Sequence, residues 1–126
     1  MKRVTGIGGI FLKSPDPNRL GAWYRERLGL DVADWGGAMI QWGGADSESG
    51  MTVWSVFAAD TKKMEPSSAP FMINYRVDNL DALLAAPREE GCNVLDEIES
   101  SDYGKFGWVI DPDNNKVELW EPPAGR

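Results

Sequence analysis

Residues Gly107 to Pro123 read GWVIDPDNNKVELWEPP, two short apolar runs on either side of a polar turn. Runs of this length separated by Asp, Pro and Asn predict two strands joined by a hairpin. Glu118 lies in the middle of the second run, between Val117 and Leu119. Because side chains alternate across a strand, Glu118 points away from both of these apolar neighbours. The stretch therefore predicts a closing hairpin that carries one carboxylate on the face opposite Val117 and Leu119.

The chain before this hairpin contains an internal repeat. When one segment is laid over another at a fixed offset, three pairs of identical residues align: Asp16 with Asp78, Gly29 with Gly91, and Val32 with Val94. An Asp at the first of these positions caps the N-terminus of a helix by accepting hydrogen bonds from free N–H groups. A Gly at the second closes the last helical turn in a left-handed conformation. The repeat therefore predicts two equivalent helices.

Apolar residues between these caps recur at helical spacing. In the first helix they are Leu20, Trp23, Tyr24 and Leu28, and in the second they are Leu80, Leu83 and Leu84. Both segments are predicted to be amphipathic helices, with Trp23 in the core between helix and sheet. Pro87 lacks a backbone N–H, so we expect it to end or bend the second helix near Ala86.

Strands are predicted before and after each helix. In the first module they cover about Gly6–Lys13, Leu30–Trp35, Ala38–Trp42 and Met51–Phe57, and in the second about Phe71–Val77, Asn93–Ile98, Gly107–Asp111 and Lys116–Trp120. The predicted order is therefore βαβββ, twice, within a single domain over residues 1–126. Module 1 covers about residues 1–58, a Pro-rich and Ser-rich linker about 59–70, and module 2 about 71–122. A hairpin loop is predicted over residues 43–50.

Composition limits the classes of partner. The net charge is −7 over 126 residues, and the Lys and Arg residues are scattered, so we expect no nucleic-acid partner. No apolar run is long enough to cross a bilayer, and the N-terminal residues do not form a signal peptide. Cys92 is the single cysteine, which favours a reducing compartment. These features predict a cytoplasmic protein without a membrane partner.

Three motifs resemble the vicinal oxygen chelate superfamily, which includes glyoxalase I, extradiol dioxygenases and bleomycin resistance proteins. DPDNNKVELWEP (Asp111–Pro122) is similar to the ending of these proteins, and DPNRLGAWYRERLGL (Asp16–Leu30) to their first helix and following strand. YGKFG (Tyr103–Gly107) is similar to the segment before their penultimate strand. The superfamily often has Gly in the turn where this chain has Asn114, a residue that also tolerates positive φ.

This resemblance implies an α+β fold in which the two βαβββ modules form a partly open, eight-stranded, barrel-like sheet with helices outside. Strand alternation then assigns side chains to the cavity or to the helix-covered face. The residues expected to face the helices are Ile10, Leu12, Ile73, Tyr75, Val77, Val117 and Leu119. Those expected to face the cavity are Gly9, Phe11, Lys13, Met72, Asn74, Arg76, Lys116, Glu118 and Trp120.

Metal-binding relatives hold a divalent ion through four inward positions, and the resemblance allows these positions to be located here. They correspond to Gly9, Met72, Glu118 and either Thr52 or Trp54. Glycine offers no ligand and a thioether is too soft for such an ion, so one carboxylate remains. We therefore expect no metal and no other cofactor.

Three roles remain open for Glu118. It can form an ion pair with Arg76 or Lys13, bind a ligand inside the barrel, or act as a general acid or base whose pKa is raised by burial. The six tryptophans suggest either ordinary packing or an aromatic wall for a planar or cationic ligand. Tyr103 and Phe106 lie in a predicted loop, which either closes over the opening or is a plain connection between strands.

The sequence thus predicts a metal-free cavity that binds a small molecule. The expected ligand-binding residues are Phe11, Gln41, Thr52, Trp54, Met72, Asn74, Arg76, Tyr103, Phe106, Glu118 and Trp120. The alternative is a glyoxalase-related lyase or isomerase that uses Glu118 as a base or within an atypical metal site. A third possibility is an interaction module without a ligand. The resemblance also implies a homodimer.

Overall fold

The computed structural model describes residues 4–42 and 50–123, which form seven strands and two helices. The first module contains β1 (Val4–Ser14), α1 (Pro17–Leu28), β2 (Gly37–Gln41) and β3 (Met51–Ala58). The second contains β4 (Phe71–Val77), α2 (Leu80–Glu89), β5 (Asn93–Ser101), β6 (Gly104–Ile110) and β7 (Lys116–Glu121). The loop predicted over residues 43–50 lies, apart from Gly50, outside the described residues.

All seven strands belong to one mixed sheet, in the order β2-β3-β1-β4-β7-β6-β5. The antiparallel pair β1–β4 joins the two modules. Each module repeats the same local arrangement, because its first strand pairs in parallel with its last, β1 with β3 and β4 with β7. β2 and β5 are the two edges, so the sheet is open. The predicted α+β class and the barrel-like, partly open sheet are confirmed.

The eighth predicted strand, Leu30–Trp35, is absent among the described residues. This segment turns tightly instead, with hydrogen bonds from Ala33 N to Gly37 O and from Gly36 N to Ala33 O. Gly36 has a φ of 96°, which glycine adopts without a steric penalty. Val32 anchors the segment by packing on Trp54 and Val56. The prediction was wrong because burial of Val32 and the Gly36 turn override the strand preference of the surrounding residues.

Both helices are capped by local side chains, although one predicted cap is displaced. Asp16 accepts a hydrogen bond from Arg19 N at 3.2 Å, as predicted. The second helix is capped by Asn79, which accepts from Ala82 N at 3.1 Å, and not by Asp78. α2 also continues beyond Pro87 to Glu89, because the φ of proline is helical and its ring removes only one N–H donor. Within the described ranges, no helix is long and apolar enough to span a membrane.

The helices cover the outer face of the sheet and form two apolar clusters. In the first cluster, Leu80, Leu83 and Leu84 of α2 pack against Tyr75, Val77, Val117 and Leu119 of the sheet. In the second, Leu20 and Tyr24 of α1 pack against Leu12, Val32, Trp54 and Val56. The predicted outward faces of β4 and β7 are therefore confirmed for Tyr75, Val77, Val117 and Leu119. Trp23, however, is half exposed, because α1 presents Leu20 and Tyr24 to the sheet in its place.

Trp54 provides a test of this packing. Its ring lies 4.7 Å from that of Tyr24 and is almost fully buried, so Trp54→Ala should leave a large void and cost about 3–5 kcal/mol of unfolding free energy. Trp23→Ala is the matched control, and we expect a loss of roughly 1 kcal/mol or less from this half-exposed ring. Urea denaturation of both variants measures the difference. Equal losses would contradict the assignment of Trp54 to the core.

Candidate functional site

One row of paired residues crosses six strands on the inner face of the sheet. Cross-strand partners face the same side of a sheet, so a chain of pairings defines a line of neighbouring side chains. The row runs through Trp108, Glu118, Asn74, Gly9, Val53 and Met39. Its polar members, Glu118 and Asn74, sit side by side on β7 and β4. The inner face therefore has a polar centre with apolar flanks.

Glu118 is held at this centre by two hydrogen bonds. Asn74 Nδ2 donates to Glu118 Oε1 at 2.7 Å, and Trp108 Nε1 donates to Glu118 Oε2 at 3.0 Å. All three side chains are buried. Both donors are uncharged, whereas the sequence suggested Arg76 or Lys13 as the partner. Each carboxylate oxygen thus has one fixed donor.

Burial raises the pKa of the Glu118 carboxyl above its usual value, because desolvation disfavours the charged form. The two hydrogen bonds and the positive charge of Lys116 oppose this rise and lower the pKa in part. The negative charge of Glu99 adds to the rise.

Asn74 has two polar ends in different surroundings. Its Nδ2 donates to Glu118, but its Oδ1 is fully buried without a hydrogen-bond partner among the described residues. The side chain as a whole is only 1% exposed. Buried acceptors in folded proteins nearly always have a donor, so an unpaired one calls for an explanation.

Asn74 lines a cavity of about 400 Å³, which we call the apolar cavity. Its other lining residues are Gly8, Phe11, Trp35, Met39, Met51, Val53, Tyr103, Phe106 and Trp120. Apart from Asn74 and the hydroxyl of the exposed Tyr103, every side chain in this set is apolar or aromatic, and the Tyr103 carbonyl already accepts a hydrogen bond from Trp120 Nε1 at 2.7 Å. The Asn74 side chain is therefore the main polar feature of the lining.

A second space, which we call the polar cavity, lies on the Glu118 side and has a volume of about 650 Å³. Phe11 and Phe106 line both cavities and so form the wall between them. Lys116 lies over the Trp108 ring at 5.4 Å, and its Nζ donates to Lys63 O at 2.8 Å. Charges of both signs surround this space, contributed by Lys62, Lys63, Glu97, Glu99, Lys116 and Glu118.

Aromatic rings build the wall of the apolar cavity. Phe106 and Trp120 are nearly parallel, with an interplanar angle of 6° and 6.1 Å between ring centres. The guanidinium of Arg76 lies between two indoles, 5.1 Å from the centre of Trp42 and 5.4 Å from that of Trp120. These cation–π contacts fix the position of Trp120.

Seven of the eleven predicted ligand-binding residues line one or both cavities: Phe11, Met72, Asn74, Tyr103, Phe106, Glu118 and Trp120. Arg76 lies next to them, behind Trp120. Phe106 belongs to strand β6 and not to a loop, because that strand begins at Gly104.

Three predicted residues lie elsewhere. Trp54 faces α1, so the prediction that it faces the cavity was wrong. Thr52 points the same way as Trp54, accepting from Trp42 Nε1 at 3.0 Å and donating to Ile7 O at 2.7 Å. Gln41 is exposed at the end of edge strand β2 and lines neither cavity. The face of β3 predicted to line the cavity is therefore the one that faces α1.

Thirteen lining residues were not among the predicted ligand-binding residues. In the apolar cavity they are Gly8, Trp35, Met39, Met51 and Val53, and in the polar cavity they are Phe57, Thr61, Lys62, Lys63, Glu97, Glu99, Trp108 and Lys116. Met51 and Val53 occupy the face of β3 opposite Thr52 and Trp54. Gly8 was missed because the β1–β4 register shifts between Ile7 and Gly9, which leaves Gly8 as an extra residue on the inner face. The paired glycines in GIGG were the one signal for such a bulge, since glycine inside a strand often marks one.

The four positions that correspond to metal ligands do not fit a divalent ion. A Cβ at Gly9 would lie 2.9 Å from the Phe11 ring, and the Met72 side chain packs against Met64 and Trp108. Glu118 already accepts hydrogen bonds at both oxygens. No group of three or more His, Cys, Asp or Glu side chains within the described residues could hold a metal. The chemistry of these side chains suits hydrogen bonding and apolar contact instead.

The glyoxalase-like domain family matches the chain over residues 9–120. The chain belongs to this family. The match confirms the resemblance to the vicinal oxygen chelate superfamily, and solved structures agree with it. No curated protein sequence matches significantly.

Methylmalonyl-CoA epimerase structures are similar to this glyoxalase-like domain. The enzyme from Mycobacterium tuberculosis is 18% identical over 98% of this chain and 91% of its own, with a TM-score of 0.65. The one from Streptomyces coelicolor is 20% identical over 96% and 99%, with a TM-score of 0.66. A Legionella pneumophila structure named as an NAD-dependent benzaldehyde dehydrogenase is 12% identical over 91% and 98%, with a TM-score of 0.61. At these identities the likeness shows the fold.

The raised pKa of Glu118 predicts a pH-dependent stability. The folded state binds this proton more tightly than the unfolded state, so the stabilisation from proton binding is fully present below the unfolded pKa, near 4.5. It is lost as the pH rises through the folded pKa. Glu118→Gln cannot bind the proton, so its unfolding free energy relative to wild type should increase as the pH rises from about 4.5. Urea denaturation at several pH values measures this difference, and a constant difference would contradict it.

Proposed function

We propose that this glyoxalase-like domain binds a planar, largely apolar small molecule in the apolar cavity, without a metal. The observation that carries the proposal is the Asn74 Oδ1 acceptor, buried without a partner in a largely apolar lining. Apolar pockets with a few convergent polar groups are the usual form of small-molecule sites. The volume of about 400 Å³ lies within the range of such sites.

The aromatic lining supports a planar ligand. The Phe106 and Trp120 rings are stacked with parallel planes, and a planar ligand ring can extend this stack. Trp35 and Met39 add apolar contacts from the first module. A ligand that touches these residues bridges the two halves of the sheet.

Asn74 Oδ1 supports a ligand with a hydrogen-bond donor. An unpaired buried acceptor costs about 1–3 kcal/mol, and a ligand N–H or O–H at this position would recover much of that cost. The donor would also fix the orientation of the ligand, because the remaining contacts are apolar. The proposed ligand is therefore a ring system with one donor on its edge.

Binding can be tested with 5-fluoroindole, a planar bicycle that has one N–H donor. Titration followed by ¹⁹F NMR should show saturable binding at one site per chain. Val53→Trp places a larger side chain in the apolar cavity, and we expect it to weaken the affinity at least about tenfold, which corresponds to about 1.4 kcal/mol.

Ile40→Trp is the matched control, because Ile40 lies on the opposite face of the adjacent strand and lines neither cavity. It should bind the probe with wild-type affinity. The proposal fails if wild-type protein does not bind 5-fluoroindole, or if both variants bind it equally well.

A second candidate function is catalysis of proton transfer by Glu118. It is favoured by the raised pKa of this carboxyl and its position at the polar cavity. The epimerases with similar folds suggest methylmalonyl-CoA as the first substrate to try. If Glu118 is a base, the protein should catalyse deuterium incorporation into methylmalonyl-CoA in D₂O, and Glu118→Gln should abolish it. Exchange at the uncatalysed rate would exclude this substrate.

The homodimer and the cytoplasmic location remain predictions. Edge strand β2 exposes two large apolar side chains, Met39 and Ile40, which is compatible with a contact to a second copy. Sedimentation equilibrium measures the assembly state directly.

A further inference from the structure

We propose that Glu118 is a positioning residue that sets the polarity of the apolar cavity by fixing the orientation of the Asn74 amide. Because Asn74 turns its Nδ2 toward Glu118, it presents its Oδ1 to the cavity. The cavity then selects ligands whose polar edge is a hydrogen-bond donor and rejects similar ligands whose polar edge is an acceptor. This inference rests on the proposed function and adds the class of ligand.

The two ends of the Asn74 amide have different hydrogen-bonding chemistry. An Asn side chain has an acceptor at Oδ1 and two donors at Nδ2, and a rotation of 180° about its last bond exchanges them. An ionised carboxylate only accepts. While Glu118 is ionised, the 2.7 Å contact to its Oε1 therefore requires Nδ2 at that position, and a charge-assisted hydrogen bond of this length is a strong one.

The other oxygen of Glu118 is occupied by Trp108. Trp108 Nε1 can only donate, and it donates to Glu118 Oε2 at 3.0 Å. The Trp108 ring is itself fixed, because it is 8% exposed and packs against Met64 and Met72. Glu118 must therefore offer an acceptor toward Trp108 and another toward Asn74. A carboxylate has two acceptor oxygens and satisfies both requirements, whereas an amide has only one oxygen.

Gly8 leaves space beside the Asn74 Oδ1 atom. Gly8 lies directly beside this atom, and a Cβ at Gly8 would overlap Asn74 Oδ1 and approach Trp120 Cε3 to 2.8 Å. Any other residue at this position would cover the acceptor. The bulge that turns Gly8 inward thus leaves Oδ1 at the wall of the apolar cavity with no side chain of residue 8 over it.

Replacing the Glu118 carboxylate by its isosteric amide should reverse the orientation of the Asn74 amide. In Glu118→Gln, the single side-chain oxygen turns toward Trp108, because Trp108 cannot accept a hydrogen bond. The new NH₂ group then faces Asn74, which must rotate to offer Oδ1. Nδ2 then points into the apolar cavity, so the polar group that the cavity offers to a ligand changes from an acceptor to a donor.

Two planar bicyclic probes distinguish these states. 5-Fluoroindole has a donor on its edge, and 6-fluoroquinoline has an acceptor that is unprotonated at neutral pH. Dissociation constants measured by ¹⁹F NMR should favour 5-fluoroindole about tenfold in wild-type protein, since one neutral hydrogen bond is worth about that ratio. In Glu118→Gln the preference should invert in favour of 6-fluoroquinoline.

Two further variants separate this role from a general loss of structure. Glu121→Gln changes a carboxylate on the same strand that accepts from Leu80 N at 2.9 Å, outside both cavities, and should keep the wild-type preference. In the double variant Glu118→Gln with Trp108→Phe, the donor that orients the Gln oxygen is gone. The Gln amide can then face Asn74 with either end, and the inverted preference for 6-fluoroquinoline should be lost.

The outcomes also separate this inference from the proposed function. If wild-type protein binds neither probe, both fail together. If it binds the probes equally, or if Glu118→Gln binds them with the wild-type preference, the positioning role is overturned while small-molecule binding stands. Inversion in Glu118→Gln that is lost in the double variant supports the role, because a merely structural effect would weaken both probes alike.

Discussion

A buried carboxylate needs hydrogen-bond donors, and this requirement organises the interior of the molecule. Glu118 is 9% exposed and takes its two donors from neighbouring strands, Asn74 on β4 and Trp108 on β6. The donors of an ionised group buried at this depth cannot be removed without a large desolvation cost. The orientation of the Asn74 amide, and with it the polarity of the apolar cavity, follows from this arrangement.

The sequence predicted those parts of the fold that are decided locally. The bounds of β4 and the left-handed residues Gly29 and Gly91 match the structure, because a strand pattern or a helix end depends on nearby residues. Two details depart from these local rules. The second helix is capped by Asn79 in place of Asp78, and it continues past Pro87, where an end or a bend was predicted. The missing strand at Leu30–Trp35 was decided by tertiary packing, which the sequence pattern alone does not contain.

The site was predicted in part for the same reason. Residues of β4 and β7 were assigned to the correct face, because both strands alternate clearly and the apolar side packs beneath α2. β3 carries apolar residues on both faces, so alternation could not decide between Val53 and Trp54. Its pairing with β1 decides it, and that pairing joins residues far apart in the chain. The partner of Glu118 depends on pairing as well, since Trp108 faces it across the closing hairpin.

The bulge at Gly8 and Gly9 also limits how this protein can evolve. A metal ligand at Gly9 would meet the Phe11 ring, and a side chain at Gly8 would meet Asn74 and Trp120. A metal centre would further require a new ligand in place of Met72 and the release of Glu118 from its two donors. Each of these substitutions alone disturbs the packed interior before any ion can bind. A metal site at these positions would therefore require several substitutions together, and none of them alone would create it.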